Sequence, residues 1–249
     1  RSAEKLLLDT LEDTGINVDN ESVSSDFYAS AAVIMFVKLQ FNNNGATILE
    51  YVKKARLDPR ELLGLFPDLH PPSLPRSGYI PKYCTQELLL KVCTGKKATD
   101  IDSMAAARFT AKKALVLQGR LDDETCAEDV VSQARLHMLK ILENHRLRCD
   151  TLQEQHLVDT AIFILFATIK GYEKELNAFI RKPNAVKAMD VTDMLQRLQR
   201  FDILAIIHSK SNPREALEIW RRMGTGEYKI SGKVSGIEES VSYLSEIED

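Results

Sequence analysis

Five histidines and four cysteines are the side chains of this sequence best suited to bind a metal or to act as nucleophiles. None of the histidines has a partner at the spacing of a metal-ligand motif, and HExxH is absent. His137 and His145 lie eight residues apart and can share a helix face, where we expect solvated or packed side chains. The five are His70, His137, His145, His156 and His208. We therefore predict no metal site and no cofactor.

The cysteines form no CxxC pair, so we expect buried thiols in a reducing, cytosol-facing compartment. They are Cys84, Cys93, Cys126 and Cys149. Gly95-Lys96-Lys97 lacks the first glycine and the hydroxyl residue of a phosphate-binding loop, and Gly224-Thr225-Gly226 follows no predicted strand. There is no GxSxG, and carboxylate pairs lie at predicted helix ends. The sequence predicts that this chain is not an enzyme.

Composition sets the broad class of the chain. Its 249 residues are 44% hydrophobic and 28% charged, which is typical of a globular protein. The net charge of −3 argues against nucleic-acid binding. The longest apolar runs, Tyr28–Val37 and Ala161–Ile169, fall short of the roughly twenty residues that span a bilayer. Because the chain opens without methionine or signal peptide, we expect an excised fragment of a longer protein.

Helical periodicity runs through nearly the whole sequence, whereas no segment alternates apolar and polar residues as a strand does. The apolar run Ala161–Phe166 predicts a helix that is buried on every side. Predicted helices lie near 3–13, 26–41, 46–56, 59–66, 85–94, 103–118, 123–149, 155–170, 172–181, 187–199, 201–209, 213–223 and 236–247.

Two helix starts repeat one capping pattern. In both Asp58–Glu61 and Asn212–Glu215, a capping residue precedes proline at the first helical position and glutamate at the third. Thr85 and Asp190 are weaker N-cap candidates.

Proline-rich and glycine-rich stretches break the series of helices. Five of the eight prolines lie between Pro67 and Pro81, where a helix cannot continue. We predict a first helical-repeat segment at 1–66, a proline-rich connector with one short helix at 67–102, and a second helical-repeat segment at 103–249.

Short helices with one apolar face are stable only against neighbours. A long series of such helices predicts an all-α protein. The architecture that it favours is an α-solenoid of stacked antiparallel helical hairpins, in preference to a closed bundle.

Three parts of the sequence resemble the family of vacuolar protein sorting subunit thirty-nine (Vam-six-like) and the TGF-β-receptor-associated protein. They are Leu57–Leu69, then Val158–Ala161 together with Phe179–Asn184, and finally Phe201–Leu217. Val158–Ala161 resembles a helix start of that family. The motif positions are Asp58, Pro59, Glu61, Leu62, Phe66, Pro67, Asp159, Thr160, Ala161, Arg181, Asn184, Ala216 and Leu217.

Some positions depart from the family pattern. Ser211 replaces the usual glycine, Pro213 follows it, and Phe66 stands where tyrosine is common. The tail Ile219–Arg222, together with Gly236–Glu239, is more similar to the receptor-associated, CORVET-type branch.

The resemblance implies a function in membrane tethering. Family members are subunits of the HOPS and CORVET complexes and carry a β-propeller followed by clathrin-heavy-chain-like repeats, of which this chain would be the middle part. It would support vesicle docking, fusion and intracellular protein transport from the cytoplasm, held on endosome or vacuole/lysosome membranes only through the complex. The implied partners are the class C core subunits, Rab GTPases and TGF-β receptor or Smad proteins.

One surface and one alternative function remain open at this point. Trp220, Arg221 and Arg222 form a possible partner surface, although the spacing of Trp220 from Ala216 and Leu217 favours a place in the core. The alternative function is a signalling adaptor that captures a peptide or a receptor tail.

Overall fold

The computed structural model describes residues 59–75 and 127–228, together with the single positions 33, 36, 238, 240, 241 and 245. Within these residues the regular structure is helical and no strand occurs, so the predicted all-α class is confirmed. Asp58, Cys84, Cys93 and Cys126 lie outside the described residues, as do the predicted helices near 3–13, 46–56, 85–94 and 103–118. Cys149 is half-buried.

The helices follow the predicted order. They are α1 (Pro59–Leu63), a 3-10 helix (Pro67–Leu69), α2 (Ala127–Arg146), α3 (Leu152–Thr168), α4 (Glu173–Arg181), α5 (Ala188–Arg197), α6 (Phe201–Ser211) and α7 (Pro213–Gly224). The bounds of α3 to α7 lie within three residues of the prediction. No described helix has the length and apolar character needed to cross a membrane.

The described residues fall into two compact units, the first containing 59–70 and 127–148, the second 71–75 and 149–228. In the first unit, α1 packs against α2, and Leu62 and Phe66 are completely buried. The rings of Phe36 and Phe66 meet edge to face, with centroids 6.2 Å apart. The domain boundaries expected at 66/67 and 102/103 stay predictions.

Helix α1 is shorter than predicted because the chain tightens before Pro67. The N–H groups of Leu65 and Phe66 donate to the carbonyls of Leu62 and Leu63, respectively, three residues back. Such bonds close a 3-10 turn, and Pro67 has no N–H with which to continue an α-helix.

In the second unit, α3 forms the apolar centre. Every residue from His156 to Phe166 is buried, which confirms the prediction for Ala161–Phe166. Helix α3 packs against α4 and α5, while α6 packs against α4, α5 and α7. Each of these helices therefore contacts the helix adjacent to it in sequence or the one after that.

Side-chain caps explain two of the helix starts. The Asn212 side chain accepts a hydrogen bond from the N–H of Glu215, as predicted for α7. Helix α3 begins three residues earlier than predicted because Thr151 Oγ1 accepts from the N–H of Glu154, while Glu154 Oε2 accepts from the N–H of Asp150. This Thr-x-x-Glu pair resembles a capping box, except that the glutamate bonds to the N–H of the residue before the N-cap and not to that of the N-cap itself.

Asp190 was wrongly predicted as an N-cap. Helix α5 begins at Ala188 with Lys187 at the cap position, and Asp190 lies in the first turn with its side chain fully buried.

Candidate functional site

Polar side chains, most of them buried, meet between α3, α5 and the segment 71–75 of the second unit. We call this group the polar cluster; it comprises Ser73, His156, Asp159, Asp190 and the backbone of Ala185. His156, Asp159 and Asp190 are 3%, 0% and 8% exposed, respectively. Because buried polar groups are costly unless they are hydrogen-bonded, these contacts determine how the surrounding elements can pack.

His156 on α3 is the centre of the cluster. Its Nδ1 lies 2.7 Å from the carbonyl oxygen of Ala185, which can only accept, so Nδ1 carries a proton and donates. Its Nε2 lies 3.0 Å from Asp190 Oδ2 and 3.2 Å from Ser73 Oγ. One imidazole thus joins α3 to the loop before α5 and to α5 itself.

Asp190 accepts two further hydrogen bonds, both from Ser73. The Ser73 N–H donates to Oδ1 and the Ser73 hydroxyl donates to Oδ2, each at 2.8 Å. Hydrogen bonds to a carboxylate are among the stronger ones in proteins. A residue 117 positions earlier in the chain is therefore attached to α5 through a single carboxylate.

Serine, histidine and aspartate are the residue types of a hydrolase triad, but here they are arranged differently around the histidine ring. In a triad the carboxylate holds Nδ1 and the serine faces Nε2. In this cluster Asp190 and Ser73 are both at Nε2, and Nδ1 is occupied by the Ala185 carbonyl. The Ser73 hydroxyl donates to Asp190 and is not directed at the histidine as its base. This geometry differs from that of a triad, and its hydrogen bonds join the segment 71–75 to α3 and α5.

The loop between α4 and α5 is attached to α3 by a second contact. Asp159 Oδ2 accepts from the N–H of Ala185 at 2.8 Å, so both backbone groups of Ala185 bond to α3 side chains. Thr160 is also buried, with its Oγ1 3.4 Å from His156 Nδ1.

Two side chains cap the C-terminus of α4. Asn184 Nδ2 donates to the carbonyls of Phe179 and Lys182 at 3.2 and 2.8 Å. Lys210 Nζ, from α6, donates to the carbonyl of Ile180 at 2.5 Å. Burial lowers the pKa of Lys210. The last carbonyls of a helix lack partners within the helix and carry partial negative charge, so both donors stabilise this end.

These contacts connect the later motif stretches. Asp159 and Asn184 meet at the loop 182–187, and Lys210 joins them from the third stretch. Val158–Ala161 lies in the middle of α3, so the helix start expected there was wrong; the helix begins at the Thr151 cap.

The other motif positions have varied environments. Ala161 and Ala216 are buried, Leu217 is half-buried and Arg181 is exposed. In the first unit, Pro59, Leu62 and Phe66 are buried and Pro67 is exposed. Nothing is described for Asp58 or for the side chain of Glu61.

Helix α7 carries the predicted partner surface. Trp220 is 3% exposed and belongs to the core, whereas Arg221 and Arg222 are accessible. Glu218 accepts from both guanidinium groups at 2.8 to 2.9 Å, and these bonds lower its pKa to about 2. Arg222 also donates to the hydroxyl of Tyr228 at 3.2 Å. Part of the positive charge of this surface is thus already balanced within the chain.

These observations define an all-helical unit that is held together by a buried polar cluster. Residues 158–249, a little over a third of the chain, match the family model of vacuolar sorting protein 39 domain 1. The matched segment begins beside Asp159 and contains Asn184, Asp190 and Lys210. No curated protein and no solved structure matches the chain.

Proposed function

We propose that this chain is a scaffold segment of a vacuolar or endosomal membrane-tethering subunit. The observation that carries the proposal is the family match over residues 158–249, which contains the larger part of α3, all of α4 to α7, and Asp159 and Asp190 of the polar cluster. Such a subunit supports vesicle docking and fusion, and hence intracellular protein transport, by protein–protein interaction. It acts as a rigid spacer and a docking surface and catalyses no reaction.

The finer architecture that we propose is an α-solenoid of stacked, antiparallel helical hairpins similar to clathrin-heavy-chain repeats. In its support, helices α3 to α7 each pack against a neighbour in sequence or the next but one. Repeats that contact only their neighbours are the structural unit of a solenoid.

The mechanical role follows from the polar cluster. Tethering works by raising the effective concentration of two membranes and their fusion machinery, and that gain depends on the stiffness and length of the connection. The contacts of His156, Asp159 and Asp190 oppose sliding of α3 against α5, because sliding would leave buried polar atoms without partners.

We propose the class C core subunits of HOPS or CORVET as the principal partners, with the CORVET-type, receptor-associated branch preferred. Rab GTPases and TGF-β receptor or Smad proteins are further proposed partners. The proposed location is cytoplasmic, peripheral on endosome or vacuole/lysosome membranes and dependent on the complex. The resemblance of Ile219–Arg222 supports the choice of branch.

Proximity labelling with the full-length parent chain tests this function. We expect other tether subunits to be labelled, and we expect Arg221→Ser with Arg222→Ser to reduce the labelling of any partner that uses α7. Lys174→Ser with Lys187→Ser removes the same amount of charge at exposed positions outside α7 and serves as the matched control. Labelling confined to receptors and short-motif proteins would favour the adaptor alternative and contradict the scaffold.

Small-angle scattering tests the solenoid separately. A compact chain of 249 residues has a radius of gyration of about 18 Å. We expect a clearly larger value, and a value near the compact one would contradict the stacked-hairpin proposal.

A further inference from the structure

The segment Pro71–Pro75, which we call the strap, belongs to the second unit although the helices of that unit lie far along the sequence. Three of its five residues are prolines without an N–H group. The N–H of Leu74 donates to the carbonyl of Pro71 within the strap, at 3.1 Å. Ser73 therefore supplies the one strap amide that bonds to another element, and its hydroxyl bonds to the same carboxylate.

Ser73 is placed at the border between solvent and the polar cluster. The residue is exposed, whereas the side chains of its partners Asp190 and His156 are 0% and 4% exposed. The strap has turns but no regular helix or strand. Segments with few backbone bonds and an exposed surface open locally at low free energy, so the strap can present Ser73 to an enzyme without global unfolding.

We propose that Ser73 is a phosphorylation site whose modification releases the strap from the second unit. A protein kinase supplies the reaction with a nucleoside triphosphate as phosphoryl donor. The Ser73 Oγ bonds to the γ-phosphorus while the bond from that phosphorus to the β,γ-bridging oxygen breaks. The nucleoside diphosphate leaves, and the hydroxyl proton passes to the kinase base.

The geometry of the cluster cannot accept the product. Ser73 Oγ and Asp190 Oδ2 are 2.8 Å apart, which leaves no room for a phosphorus atom with three further oxygens. The phosphoester lacks the hydroxyl hydrogen that Asp190 accepts, so the bond is lost as well. A phosphate adds a charge of about −1.5 to −2 beside a buried carboxylate, and this repulsion favours an open strap.

Pairing of the phosphate with His156 would not restore the bonds that hold the strap to Asp190. His156 Nε2 bonds to Asp190 Oδ2 at 3.0 Å, so a phosphate that captured this nitrogen would leave the buried Asp190 without two of its partners. Modification therefore removes the Ser73 hydroxyl bond to Asp190 in either arrangement and leaves the Ser73 N–H as the only described bond from the strap to α5.

Hydrogen exchange of the full chain carrying phosphoserine at position 73 tests the release. Of the five strap residues only Ser73 and Leu74 have exchangeable amides, so a peptide covering residues 69–75 reports directly on the strap. Loss of hydrogen bonds to a charged group should accelerate exchange at Ser73 by about tenfold or more. Ser73→Ala, which keeps the amide bond to Asp190, should give a smaller acceleration. Phosphoserine at the exposed Ser132 of α2 is the matched control and should leave strap exchange unchanged.

Two results of this exchange experiment would overturn the proposal. One is unchanged strap exchange in the phosphoserine-73 chain, and the other is loss of protection throughout α3 to α7, which would indicate unfolding of the unit and not release. In an Asp190→Asn background with an unchanged circular dichroism spectrum, phosphoserine at 73 should accelerate exchange less, because the repelling charge is gone. An equal acceleration in that background would count against the repulsion. Phosphopeptide mapping of the full chain from cells treated with phosphatase inhibitors should find modified Ser73, and its absence would rule out a physiological site.

Discussion

Replacing Asp190 by alanine should lower the free energy of unfolding of the second unit by about 3 kcal/mol. The side chain bonds to His156 Nε2 at 3.0 Å and accepts from the Ser73 hydroxyl and N–H at 2.8 Å each. A hydrogen bond to a charged group contributes at least about 1.5 kcal/mol, and two such bonds account for the stated loss. The third bond, from the Ser73 N–H, is left out of this sum because Ser73 is exposed and its amide can bond to water instead.

The assay is urea denaturation followed by circular dichroism of the helices. A loss of this size corresponds to a fall in melting temperature of about 6–12 °C for a chain of 150–250 residues. Asp193→Ala is the matched control, because Asp193 lies on the same helix with an exposed side chain and should change stability by less than about 0.5 kcal/mol. Asp190→Asn keeps an acceptor and should fall between the two.

The result that refutes the reasoning is a loss below about 1 kcal/mol for Asp190→Ala, which would equal the effect of one ordinary hydrogen bond. A double-mutant cycle with His156→Gln gives an independent measure. Residues in one hydrogen-bond network couple by about 0.5–3 kcal/mol, so strictly additive losses would show that the two side chains do not interact as described.

Three further predictions concern single sites. Asn212→Ala should destabilise by about 1 kcal/mol through loss of the α7 cap, and an unchanged melting temperature would show that α7 does not depend on this cap. Gly171 has a φ of +91°, so Gly171→Ala should cost about 1 kcal/mol in urea denaturation although no atom lies within 4 Å of the added Cβ; an unaltered midpoint would contradict this backbone strain. Burial, followed by the charge of Lys140, lowers the pKa of His137 from 6.5. The unfolded chain then binds more protons just below pH 6.5, so stability should fall as the pH drops through the window between 6.5 and the lower folded value. His137→Gln should reduce the difference between urea midpoints at pH 7.5 and 5.5, Lys140→Gln should reduce it less, and equal differences in all three proteins would refute the pKa shift.

Local signals in the sequence were sufficient for most helix bounds. Asn212-Pro213 determines the start of α7 because an acceptor cap and a fixed proline φ act within one turn. The Thr-x-x-Glu pattern of Thr151 and Glu154 is an equally local signal, and it predicts the observed start of α3.

The candidate site was less predictable, because its contacts join residues that are distant in sequence. Asp190 has the residue type of an N-cap and was interpreted as one, yet its partners are Ser73 and His156, 117 and 34 positions away. Trp220 was ambiguous because a lone tryptophan beside arginines suits a core or a surface, and its 3% exposure places it in the core.

The sequence by itself determined that the described part of the chain is helical and where α3 to α7 lie, because helix periodicity, caps and breakers act over a few residues. It also contained the stretches that resemble the vacuolar sorting family. Only the tertiary structure decided which polar residues of those stretches meet, because burial removes water and obliges Asp159, His156 and Asp190 to find partners wherever the packing of α3 and α5 brings them. The strap is a further example. Its prolines in the sequence predicted a break in the helices, whereas only the tertiary structure decided that Ser73 attaches it to Asp190.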